Sequence, residues 1–276
     1  MSRITKLFPE GKRKAFTLSY DDGVIQDKKL VEIFNRYNLK ATFNLNSGLQ
    51  GEEGACVIKD LVIERIKDNE VIDLYKGHEV AIHGLKHLSL TDIPKELMVE
   101  EILQDRKNHE KMFGYPVRGM AYAFGTYNKT VFKVLEALGV VYSRTVNDHG
   151  NFTLPSNYLE WNPTAHHNSP HLMEIAERFI EGEFHGLGLF YLWGHSYEFD
   201  LDNNWHRIEK FCEYIGNRDD VWYATNIQIV NYLDSLNRLQ FSTDFELVHN
   251  PSAISTWIEF NGTPVEIKAG ETKKIC

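Results

Sequence analysis

Cysteine is scarce in this chain. Cys56, Cys212 and Cys276 are odd in number, far apart and without a C-x-x-C spacing, so neither a disulfide framework nor a cysteine metal site is expected, and reduced thiols in the cytoplasm are the simplest reading. Long apolar runs are missing too. No stretch approaches the roughly eighteen apolar residues a membrane span needs, and Met1 to Lys14 mixes charges with Pro9 and Gly11 where a signal peptide would carry an apolar segment; no targeting or anchoring segment is expected. Positive charge is in deficit, with 30 Lys and Arg against 39 Asp and Glu, a formal net charge of -9, and the cations are scattered. That pattern argues against nucleic acid or an anionic membrane as partner and suits a neutral or weakly charged substrate. No internal repeat or low-complexity segment is evident. What remains, 276 residues at 42% hydrophobic and 25% charged, is the make-up of a globular domain of barrel size, or of a domain with an appendage.

Short β-like runs alternate with amphipathic ones. Ala15 to Tyr20 reads as a strand, followed by Leu30, Ile33, Phe34 and Tyr37 at helical spacing. Lys40 to Asn46 is a second strand; a Gly-rich insertion follows, and Leu61 to Tyr75 reads as helical. Glu79 to Ile82 is a third strand, and Pro94 opens a helix through Met112 in the position where proline costs nothing. Gly119 to Phe124, Val140 to Ser143, Tyr158 to Trp161, Leu187 to Trp193 and Val221 to Ala224 supply further strands. Helices are expected over Val131 to Leu138, Leu172 to Ile180 and Trp205 to Ile215, and another after Val221 to Ala224 as far as about Leu236. About eight strands alternating with helices imply an α/β fold with a parallel sheet, either closed as a barrel or open and doubly wound, with a closed or nearly closed barrel favoured. After about residue 238 the texture changes. Phe241 to Val248, Ile254 to Phe260 and Val265 to Ile267 are strand-like with no helix between them, and Asn261-Gly262 is a hairpin turn signal. Residues 1–238 are thus expected to form the barrel, and residues 239–276 a small antiparallel β appendage packed on it or on a partner subunit, which leaves room for a homo-oligomer.

Polar residues fall where the chemistry of a parallel barrel gathers, at the carboxyl ends of the strands. Asp21 and Asp22 end the first strand, His83 the third, and His195 the run Phe190-Tyr191-Leu192-Trp193, while Arg118 and Tyr122 flank the fourth. Asp-Asp-Gly alone is often a turn with a helix cap, and two histidines four apart are often a surface pair. Together they supply a carboxylate and two imidazoles for one metal ion, with a second carboxylate to spare. Three protein ligands leave a coordination position open, as catalytic metal sites do. The same set also matches the facial triad of non-haem Fe(II) oxygenases, from which a base beside the metal would separate it. His166 and His167 read as structural or solvent-facing.

Phe16-Thr17-Leu18-Ser19-Tyr20-Asp21-Asp22-Gly23, Lys40-Ala41-Thr42-Phe43 and His83-Gly84-Leu85-Lys86-His87 resemble the motifs of the polysaccharide deacetylases, the NodB-homology or carbohydrate esterase family 4 enzymes, over about residues 14 to 236. The resemblance implies a distorted (β/α)7 barrel and a metal-dependent deacetylase. It makes Asp21 the base and Asp22, His83 and His87 the ligands of one divalent metal, zinc or else cobalt, nickel or iron. It also makes Arg118 the cation that orients Asp21, a backbone N–H near Tyr122 the oxyanion donor and His195 the general acid. The third motif departs from pattern as Arg118-Gly119-Met120-Ala121-Tyr122; the last, Leu192-Trp193-Gly194-His195, has one extra residue; the fourth has only Glu160-Trp161 as a loose counterpart. Such departures suggest a divergent branch. The expected substrate is an intracellular acetylated sugar or oligosaccharide, with Trp161, Trp193 and Trp205 as candidate stacking faces. An allantoinase-like amide hydrolase and a non-catalytic carbohydrate-binding relative remain the alternatives.

Overall fold

The computed structural model describes residues 4–51 and 54–275; the expected thiol Cys276 lies outside them, while Cys56 is exposed, Cys212 buried, and both are free. Eight strands form one parallel sheet: β1 (Lys14–Asp21), β2 (Ala41–Leu45), β3 (Glu79–Ile82), β4 (Gly119–Ala121), β5 (Tyr142–Arg144), β6 (Ala165–His166), β7 (Gly188–Gly194) and β8 (Val221–Tyr223). Seven run in the order β5-β4-β3-β2-β1-β7-β6 and curl into the NodB-type (β/α)7 half-barrel, and β8 pairs with β1. Its two ends nearly meet, because Trp161 bridges to Arg144 of β5 just before the chain enters β6. Strand β1 forks. Lys14 to Phe16 pair with β8 and Leu18 to Asp21 pair with β2, while the other edge runs along the whole of β7.

Strand period two decides what goes where. Phe16, Leu18 and Tyr20 of β1, Phe43 of β2 and Phe190 of β7 turn outward and pack with helices α1 (Asp27–Arg36), α5 (Leu172–Glu181) and α7 (Trp205–Ile215). The alternate residues Thr17, Ser19, Asp21, Thr42, Asn44, Glu79, Tyr142 and Arg144 are buried on the other face; Thr17 donates to Asn226, and the others are linked among themselves by hydrogen bonds. The barrel interior is therefore polar along its length, and it ends at the carboxyl edge in ionisable groups.

The remaining helices are α2 (Asp68–Leu74), α3 (Lys95–Phe113), α4 (Lys129–Ala137), the short α6 (Glu198–Leu201) and α8 (Asn226–Asn237). Some expectations change. Leu61 to Tyr75 is not one helix: Leu61–Ile63 pairs antiparallel with Cys56–Ile58 across Lys59 and Asp60, both at positive φ, and the helix begins only at Asp68. Tyr158–Glu160 is a 3-10 turn capped by the Asn157 side chain, and Trp161 alone makes a sheet contact. In the tail, Thr256–Phe260 and Thr263–Ile267 form the expected hairpin, with Asn261 and Gly262 both at the positive φ a two-residue turn requires. Strand Ile4–Leu7 adds to its edge. Phe241 to Val248, expected as one strand, is two, Gln240–Phe241 and Leu247–His249, joined by a turn. The hairpin is tied to α8 through Tyr232, whose hydroxyl donates to Leu7 O at 2.7 Å and accepts the Trp257 N–H at 3.0 Å.

Candidate active site

The carboxyl ends of β1, β3 and β7 open into a pocket of about 350 Å³ bordered by Asp21, Asp22, His83, His87, Phe124 and His195. Asp22 and Gly23 are both at positive φ, turning the chain so that consecutive aspartates do different things. Asp22 Oδ1 lies 3.9 Å from His83 Nε2 and 3.7 Å from His87 Nε2, and the three donor atoms are all within 4.8 Å of one another. His83 is held from behind: its Nδ1 is 2.9 Å from Ala121 O, so it donates there and leaves the Nε2 lone pair facing Asp22. The loop between the histidines is not helical, with Gly84 and His87 at positive φ. Two carboxylates one turn apart on α3 fasten it. Asp105 accepts the His83 N–H at 3.1 Å and Glu101 accepts the Lys86 N–H at 2.9 Å.

Each aspartate has its own guanidinium. Arg65, from the strand Leu61–Ile63 side of the insertion, lies 3.0 Å from Asp22 Oδ1 and donates to its carbonyl. Burial alone would raise the Asp22 carboxyl; Arg65 and the surrounding imidazoles outweigh it and hold it far below the usual carboxylate range. Asp21 is ion-paired with Arg144 and accepts from Asn44 Nδ2 at 2.8 Å. Its carboxyl is also depressed, because Arg144, His83 and His195 together outweigh burial. These donor sets fit a divalent metal. Asp22 Oδ1 is buried without a hydrogen-bond partner, its contact with Arg65 being an ion pair outside hydrogen-bond geometry, and imidazole with carboxylate suits transition metals.

Arg118, expected to orient Asp21, does not approach it. It precedes β4 at the amino end of the barrel and donates to Asn231 Oδ1 on α8, exposed. Arg144, at the carboxyl end of β5 and fully buried, occupies that place instead. The cue was position: in a parallel barrel a charge at the start of a strand faces away from the site.

His195 follows β7, with Nε2 3.8 Å from Asp21 Oδ2 and Nδ1 3.4 Å from Glu198 Oε1. Burial would lower its pKa, but Glu198, Asp21 and Asp22 outweigh that and push it up to about 9. Tyr122 borders the pocket, yet its N–H donates to Arg144 O and its hydroxyl to Leu159 O. The Gly125 N–H is likewise spent on Tyr122 O. Trp161 is not a sugar platform: it is 1% exposed and packs among Tyr142, Tyr158 and Tyr191. Trp193 borders the pocket but carries the Arg144 guanidinium at 4.4 Å from its ring, with its Nε1 donating to Asp148 at 2.7 Å. Trp205 packs on Phe199 with Lys29 over its ring. The exposed aromatic face at the mouth belongs to Phe124, 66% exposed, at φ 57° and 4.6 Å from the His87 ring. His166 and His167, expected to be structural or solvent-facing, meet Glu198.

The family model described as polysaccharide deacetylase matches residues 9–143. Among solved structures, a candidate polysaccharide deacetylase of Mycobacterium smegmatis is 16% identical, with a TM-score of 0.62 over 84% of this chain and 94% of that one. The Xyl-CE4 domain of a multidomain xylanase from the hindgut metagenome of Trinervitermes trinervoides is 14% identical, with a TM-score of 0.53 over 80% and 92%. A Streptococcus pyogenes deacetylase in complex with acetate aligns over 52% of this chain and 61% of its own length, at 21% identity and a TM-score of 0.46. No curated protein sequence matches. At these identities the solved structures speak to the fold, and the family model covers the first two motifs: residues 9–143 of this chain match the polysaccharide deacetylase model.

Proposed function

We propose that the protein is a metal-dependent hydrolase that removes acetyl groups from an acetylated saccharide. Deacetylation of acetylated saccharides is the chemistry of the family. The observation that carries the finer reading is the division of labour between adjacent aspartates: Asp22 converges with His83 and His87, and Asp21 stands beside them, ionised and clamped by Arg144 and Asn44. A divalent metal held by Asp22, His83 and His87, with zinc the first candidate, would supply Lewis-acid activation of water and of the acetyl carbonyl. Asp21 takes the proton of the attacking water, and its depressed pKa keeps it available as a base at neutral pH. Of the N–H groups of Tyr122, Phe124 and Gly125, only that of Phe124 has no acceptor among the described residues, which makes it the backbone candidate for the oxyanion. His195, protonated up to about pH 9, gives its Nε2 proton to the departing nitrogen or oxygen. Phe124 offers the apolar face on which a sugar ring can rest.

The test is acetate release from a panel of N- and O-acetylated saccharides by zinc- or cobalt-loaded protein, with allantoin and other cyclic amides alongside. Acetate release is expected, and Asp21→Asn should keep its metal while kcat falls about 10²-fold or more. Hydrolysis of a cyclic amide without acetate would replace the reading, and an active Asp21→Asn would remove Asp21 as base.

A further inference from the structure

His167 is fully buried, its ring held between Tyr20 (centroids 5.6 Å) and Phe199 (4.2 Å). Its Nδ1 is 3.2 Å from the Tyr20 hydroxyl. Its Nε2 lies 3.0 Å from Glu198 Oε2 and yet has no hydrogen-bond partner, so the carboxylate oxygen sits off the direction in which the ring nitrogen points. His166 Nε2 approaches the same oxygen at 3.1 Å. Two imidazole nitrogens and one carboxylate oxygen, all within 4.8 Å of one another, thus converge on one point, with His167 Nε2 left buried and unpartnered. Ligands around a tetrahedral ion with bonds of about 2.0 to 2.1 Å stand about 3.3 Å apart, close to these separations. An imidazole whose far nitrogen is anchored on a hydroxyl, as His167 is on Tyr20, has the outer support that metal-bound histidines have.

We propose that His166, His167 and Glu198 form a second site for a divalent transition metal of the zinc class, separate from Asp22, His83 and His87. The two sites flank His195, whose Nε2 faces Asp21 and whose Nδ1 faces Glu198. The second site ties the two-residue strand β6, at the seam where the curled sheet nearly closes, to α6 beyond β7. Its three ligands leave one position open, but it lacks a spare carboxylate like Asp21, so its metal has no base beside it and serves to hold the floor under His195. His166 is the weaker ligand. Its Nδ1 accepts the Asn168 N–H at 3.2 Å, which in a neutral ring leaves the proton on Nε2, so that contact must open when metal binds.

The experiment is zinc binding to protein stripped with a chelator, counted by elemental analysis and followed by calorimetry. Wild type should take two ions per chain, Glu198→Gln and His167→Gln one each, and His83→Ala one. In the His83→Ala background zinc should still bind and raise the melting temperature, which tests the second site even if His167→Gln does not fold. A wild type that binds one zinc, kept in Glu198→Gln and lost in His83→Ala, overturns the second site and leaves the first intact. One zinc lost in Glu198→Gln and kept in His83→Ala would establish the second site and refute the ligand set proposed for catalysis.

Discussion

Glu79 and Asp21 are buried carboxylates at opposite ends of one barrel interior, each served by neighbouring strands. At the amino end every oxygen of Glu79 is answered: Tyr142 donates to Oε1 at 2.7 Å, and Thr42 and the Ile227 N–H donate to Oε2 at 2.8 and 2.9 Å. At the carboxyl end the accounts are left open. Asp22 Oδ1, Asn44 Oδ1, Arg144 Nε and His195 Nδ1 are buried without hydrogen-bond partners. Burial raises the Glu79 carboxyl, whereas cations hold those of Asp21 and Asp22 down. The same strands thus build a closed polar network at one end and an unfinished one at the other. Unsatisfied buried groups cost about 1 to 3 kcal/mol each, so a cluster of them is expected where a ligand completes the set.

The contrast can be broken at either end. Arg144→Met should have the largest effect, lowering kcat/KM by about 10²-fold. Because Arg144 depresses Asp21, its loss raises the Asp21 pKa, so if Asp21 is the base, activity should disappear at a higher pH on the acid side of the profile. A profile unmoved on that side would make Arg144 merely structural. Glu79→Ala should do the reverse. It strands three donors and should cost about 3 kcal/mol of stability in chemical denaturation, with kcat of the folded protein unchanged; a comparable loss of kcat would mean the two ends are not independent. Arg118→Ala is expected to change the least, with stability within about 0.5 kcal/mol and activity at the wild-type level. A strong loss there would restore the arginine that the sequence motif suggested.

The core strands were legible because apolar runs such as Ala15 to Tyr20 and Glu79 to Ile82 end at polar residues, and the convergence of Asp22, His83 and His87 was legible because they follow those ends. The rest hid for identifiable reasons. Lys59-Asp60 lacks the glycine that announces a tight turn, so Leu61 to Ile63 looked like the start of a helix when it is half of a hairpin. Arg144 had no motif around it, whereas Arg118 did, and only the direction of the strands separates them. Trp161 and Trp193 carried no mark of which partners would cover them; Tyr142 and Arg144 do so, both from β5. Glu198 was visible only as a neighbour of His195, because its meeting with His166 and His167 depends on how the seam closes.

The fork in β1 separates what can be recognised from what can stand alone. Every motif that matches the family lies within residues 9–143, but one whole edge of β1 is covered by Gly188–Gly194 and half of the other by Val221–Tyr223. A chain cut after residue 143 would keep the signature and expose the central strand as an unpaired, apolar edge, the template on which β aggregation begins. Dissection of this protein into a minimal piece should therefore begin by keeping the stretch through β8, which the family model does not reach.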